Sequence, residues 1–173
     1  MKVLLEGQSK TRVETIRYIG YAITLLLLAV VHLTLLDFIS VGGLTPDLIL
    51  ILCVWVTLYE GPFIGLFVAF GSGLLLDIVS LDVIGTNALA KVTVAFIAGY
   101  FYKEGDAEKT IGSYKFLLIV MLSSFVHNII YFFFYLKPSD SSFLLFFLKY
   151  GIAITLYTTV FAVFAMLSKI RRK

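Results

Sequence analysis

The chain has 173 residues, of which 60% are apolar and 14% charged, with a net charge of +3. A soluble domain carries roughly a quarter charged residues, so this composition could not cover a water-soluble fold. The single cysteine, Cys53, excludes an internal disulfide and a cysteine-based metal cluster, and the apolar runs leave little sequence for a catalytic domain outside a membrane.

A transmembrane helix needs about 20 apolar residues. The expectation is therefore an all-α, polytopic membrane protein, one integral domain over 1–173 with about six transmembrane helices. Residues 1–17 are polar and weakly basic, too long and too mixed in charge for a typical signal-peptide start. No small-residue cleavage site follows the first apolar run, which reads as a retained anchor. That run, 19–39, is broken only by Thr24, His32, Thr34 and Asp37. Gly42 and Gly43 mark a turn, and Pro46 suits the first turn of a second helix, where a missing N–H is harmless.

The second span, 46–59, is short: its 14 residues reach about 21 Å at helical rise. It crosses only where the bilayer thins or neighbouring helices shield its ends. A re-entrant hairpin formed with the third span stays open as an alternative. Glu60, Gly61 and Pro62 form a break, followed by a third span at 63–80 and a fourth at 85–102 that contains Lys91. Residues 103–113 are the most polar stretch and read as a water-exposed loop. A fifth span at 114–136 and a sixth at 143–167 flank a loop containing Lys137 and Pro138, and a basic tail closes the chain.

Lysine and arginine counts in short loops set orientation. With six spans and an internal N-terminus, eleven basic residues fall on the cytoplasmic side. Only Lys137 and Lys149 fall outside, with Lys91 inside a span. The bias predicts cytoplasmic N- and C-termini and an even number of crossings before the 103–113 loop. The basic residues cluster at loops, so they indicate orientation rather than nucleic-acid binding.

Gly61, Gly65, Ala69, Gly73 and Asp77 recur every four residues, which places them on one ridge of the third helix. In lipid, small residues let two backbones touch, so the ridge predicts tight packing against a neighbour, either within the chain or in a partner. A carboxylate in a membrane helix usually faces protein, water or a cation. Lys91, two turns into the fourth helix, is expected to pair with Asp77 or Asp82; its long stem also allows it to reach the headgroups alone. His127 and Asn128 are adjacent in the fifth helix and are expected to hydrogen-bond across the bundle, with the lining of a polar cavity or proton path as the alternative. His32 is read as a packing residue only.

Catalytic signals are weak, and the protein is expected not to be an enzyme. Gly71-Ser72-Gly73 lies in a membrane helix with no preceding strand, so it is no dinucleotide loop, and no HExxH or P-loop pattern occurs. No metal or cofactor is expected.

Pro46 before a short apolar helix, Gly61 and Gly65, then Gly73-Leu74-Leu75-Leu76-Asp77, then Gly85-Thr86-Asn87-Ala88-Leu89 appear in that order. This stretch resembles the rod-shape-determining MreD family, with Pro46, Gly85 and Asn87 among the motif positions. The resemblance covers about a third of the chain by motif and nearly all of it by size and span count. It implies a multi-pass protein of the bacterial inner membrane that is not an enzyme. Such a protein belongs to the cell-elongation machinery and helps direct side-wall peptidoglycan synthesis and rod shape. Its implied partners, in a higher-order hetero-oligomer, are MreC, a single-span protein with a large periplasmic part, and the filament protein MreB. The implied fold is similar to the substrate-binding subunits of energy-coupling-factor vitamin transporters, which supply the rival reading of function.

Overall fold

The computed structural model describes residues 2–34, 40, 44–81, 83–135 and 147–170. Seven α-helices and one π-helical turn make up the described fold: α1 Lys2–Thr34, α2 Leu48–Glu60, α3 Pro62–Val79, α4 Thr86–Gly99, α5 Ala107–Ile111, α6 Tyr114–Tyr135, the π turn Phe147–Gly151, and α7 Ile152–Ile170. Four helical segments are long and apolar enough to cross a membrane: Glu14–His32, Pro62–Val79, Tyr114–Phe134 and Phe147–Lys169. The chain is therefore an all-α, multi-pass membrane protein.

The two shorter apolar helices, α2 and α4, are the best buried. Ile49, Leu50, Cys53, Val54, Val56 and Thr57 of α2 are wholly enclosed, as are Ala90, Val94, Ala95 and Ala98 of α4. The length of α2 follows from that position. A helix wrapped by longer neighbours does not meet lipid at its ends, so 13 residues suffice; α4 keeps Leu89 and Phe96 exposed on one face. The long helices instead expose Phe67, Phe70, Leu118, Phe133, Val160 and Phe164, as a lipid-facing shell should.

Helix boundaries follow local chemistry. Asp47 is the N-cap of α2 and accepts from the Leu50 N–H at 2.8 Å, so Pro46 precedes the helix instead of opening it. Gly61 ends α2 and begins α3 at φ +98°, a conformation that favours glycine, and Pro62 occupies the first helical position of α3. The chain from residue 2 into the first span is one continuous helix of 33 residues, where the sequence reads as a polar segment followed by a span starting at 19. Residues 35–39, 136 and 143–146, the edges of the expected first, fifth and sixth spans, lie outside the described residues.

One end of the bundle gathers Arg17, the 60–62 turn, the segment after α4 and the end of α7. Arg17 Nη2 and Tyr21 Oη each donate to Glu60 at 2.9 Å. The Tyr102 ring covers Gly61, and Pro62 sits on Gly99. Lys169 Nζ donates to Glu108 at 2.7 Å. The expected exposed loop at 103–113 contains α5, whose Ile111 is fully buried.

Candidate functional site

Helices α3 and α4 share the most extensive helix–helix contact among the described residues, and the small-residue ridge explains why. A Cβ at Gly73 would overlap the backbone of Ala88, and one at Gly65 would overlap Thr57 of α2. Ala69 and Asp77 are completely enclosed. Gly61 to Asp77 is thus one ridge set against α2 and α4, so the contact it provides is internal. Of the two neighbours the sequence allows, the chain's own helices are the ones that pack on Gly65, Ala69, Gly73 and Asp77.

Asp77 ends the ridge with a specific task. Its Oδ2 accepts from the N–H of Gly85 at 2.8 Å and of Ala88 at 3.3 Å, and its Oδ1 from the N–H of Asn87 at 2.9 Å. The first N–H groups of any helix lack intrahelical partners. Gly85, the N-cap of α4, has no side chain to supply one and takes φ +101°. The carboxylate eight residues earlier supplies it instead, with its charge at the positive end of the helix dipole. The two halves of the motif, Gly73 to Asp77 and Gly85 to Ala88, are therefore one structural unit.

This arrangement corrects the expected ion pair. Lys91 is fully buried, and its Nζ lies 2.5 Å from Asp47 Oδ2, not beside Asp77. Asp77 is already saturated by backbone donors, whereas Asp47 at the start of α2 has an oxygen free after capping Leu50. Asp82 lies outside the described residues. His127 Nε2 of α6 completes the group at 3.4 Å from Lys91 Nζ and 3.7 Å from Asp47 Oδ2. The Asp47 N–H donates to Thr158 Oγ1 at 3.0 Å, so this cluster ties α2, α4, α6 and α7 together.

Asn128 does hydrogen-bond across the bundle. Its Nδ2 donates to Thr155 Oγ1 at 3.0 Å and to the Gly151 carbonyl at 3.3 Å. That carbonyl sits where the π turn passes into α7, and Thr155 Oγ1 also donates to it. His127 stacks on Tyr131 with ring planes 7° apart, and its Nδ1 has no hydrogen-bond partner among the described residues.

Beside the cluster is a cavity of about 180 Å³, the volume of roughly six waters. Its walls include His32, Asp47, Asn87, His127, Asn128 and Tyr131. The cluster's own carboxylate went unrecognised in the sequence. Asp47 follows Pro46 at a helix start and carries only an N-cap signal, which says nothing of a lysine 44 residues away. His32, read from the sequence as a packing residue, also lines the cavity, and its Nδ1 lacks a partner among the described residues.

A second opening is apolar. Between α1, α2 and α7 runs a groove of about 640 Å³, lined by Leu28, Leu48, Leu52, Trp55, Phe161 and Phe164. It exists because α1 touches the bundle sparsely; Ala29 is its only buried apolar residue among those described.

No family model matches the chain, and no curated protein or solved structure matches it.

Proposed function

We propose that this chain is a non-enzymatic membrane scaffold of the MreD type, working in the bacterial cell-elongation machinery by holding the single span of MreC. It would cross the inner membrane six times, with both termini cytoplasmic and the Arg17, Glu60 and Lys169 end of the bundle inside. The observation that carries this reading is the apolar groove between α1, α2 and α7. It has helical walls and aromatic and aliphatic side chains over residues 21–28, 48–55 and 161–168, which suit about two turns of another transmembrane helix. The small-residue ridge is spent on the fold and contributes to partner binding only by keeping α2 in place. MreB contact would fall to the cytoplasmic end.

The polar cluster supports the same reading in a negative way. Its charges are matched to one another, and the adjoining 180 Å³ cavity lies below the roughly 300–1,000 Å³ of ordinary small-molecule sites. One observation favours the rival reading, a substrate-binding transporter subunit. Two histidine nitrogens, His32 Nδ1 and His127 Nδ1, are unpartnered among the described residues on the wall of that cavity.

Site-specific photocross-linking tests the groove. A photoreactive residue at Thr24 or Phe164, which line it, is expected to capture MreC in native membranes. The same residue at Phe133, exposed on α6, is expected to give lipid adducts alone. Capture of MreC from Phe133 and not from Phe164 would place the interface elsewhere.

A further inference from the structure

The stretch 103–115, from the segment after α4 into the first turn of α6, is close to neutral in sequence, with Lys103, Lys109 and Lys115 offset by Glu104, Asp106 and Glu108. Folding separates those charges. Glu108 turns to the end of α7 and accepts from Lys169, and Glu104 takes no part in the opening below it. All three lysines line that opening, a pocket of about 700 Å³ between the segment and α6. Asp106 is the one acid on its wall, and it is held by Lys109 at 2.8 Å. Lys103 and Lys115 have no carboxylate partner among the described residues.

The floor of the pocket is of opposite character. Phe101, Leu118 and Leu122 line it and are all exposed, and the α6 residues lie in the segment long and apolar enough to cross a membrane. Cations over an apolar strip at the boundary of a membrane helix match one amphiphile, with an anionic head and hydrocarbon tails. Basic pockets of this kind between transmembrane helices take acidic headgroups.

We infer that the pocket between the 100–113 segment and α6 binds an anionic phospholipid, with its phosphate held by Lys103 and Lys115 and an acyl chain lying along Leu118 and Leu122. Lys109, tied to Asp106, contributes less. The site is independent of the groove between α1, α2 and α7, and it would stand whether the chain is a scaffold or a transporter subunit.

Native mass spectrometry of the full-length protein in detergent, titrated with phosphatidylglycerol or phosphatidylcholine, tests this. Phosphatidylglycerol is expected to be retained in preference. The double substitution Lys103→Gln and Lys115→Gln is expected to weaken its retention by roughly 30-fold, at about 5-fold for each lysine near an anionic group. Lys149→Gln, outside the pocket, is expected to change nothing. Both lysines are exposed, so the double variant should keep the elution profile of the native protein. Equal retention of the two lipids, or equal phosphatidylglycerol retention by the double variant and the native protein, would overturn the proposal. So would lysine-dependent binding of inorganic phosphate that displaces the lipid, which would assign the pocket to a free anion.

Discussion

Lys91→Met is expected to destabilise the bundle by about 3–5 kcal/mol, the cost of leaving one member of a buried ion pair without the other. Lys91 is wholly enclosed and the Asp47 side chain is 13% exposed, so relief of the stranded carboxylate is confined to what the adjoining 180 Å³ cavity can hold. The expected fall in melting temperature is on the order of 10 °C for a chain of this size. The double variant Lys91→Met with Asp47→Asn removes both charges and keeps an oxygen to cap Leu50. It is expected to recover most of the loss, because matched removal of a buried pair is often close to neutral. Thermal unfolding in a single detergent, followed by size-exclusion of the heated samples, reads both variants. A double variant as unstable as Lys91→Met would show that the lysine acts through its packing volume rather than its charge.

The second large effect is expected at Gly73. A Cβ there meets the Ala88 backbone, which cannot swing aside as the end of a side chain would. Gly73→Ala should cost about 1–3 kcal/mol of overpacking, against a helix-propensity gain of about 1 kcal/mol. Gly73→Leu should force α3 and α4 apart and abolish the folded peak. Gly71, two residues away, has nothing within 4 Å of an added Cβ, so Gly71→Ala is expected to be neutral or slightly stabilising. The comparison separates close helix approach from a general glycine requirement. Equal melting temperatures for Gly71→Ala and Gly73→Ala would contradict the flush contact between α3 and α4.

These two positions also mark where the sequence was readable. The ridge was legible because its four-residue spacing is a property of one helix, and the need for close packing follows from spacing alone. Its neighbour was not legible, since nothing in the pattern distinguishes α4 of the same chain from a helix of another protein. Asp77 stood out as a carboxylate in an apolar run. Its acceptance of three backbone N–H groups depends on Gly85, Asn87 and Ala88 lying beside it, and that is set by tertiary packing.

The polar cluster was the least legible part. Lys91, His127 and Asn128 each drew notice as polar residues in apolar spans. Asp47 did not, because an aspartate at a helix start is ordinary. The Asp47–Lys91 pair joins positions 44 residues apart, beyond any local pattern. Charge segregation around the 100–113 segment was hidden for a similar reason. The stretch 103–115, with equal numbers of lysines and acids, looks neutral until folding sends Glu108 to one side and three lysines to the other. The short second helix, by contrast, gave fair warning: its length requires either a thin bilayer or shielding, and the fold supplies shielding.

The scaffold reading meets its most direct test in co-purification of the full-length chain from native membranes, with mass spectrometry of both the proteins and the small molecules that accompany it. A single-span protein with a large periplasmic part, retained in stoichiometric amount with no equimolar solute, is the expected result. A stoichiometric small molecule in the absence of any protein partner would contradict it and assign the cavity beside Asp47 and His127 to a solute.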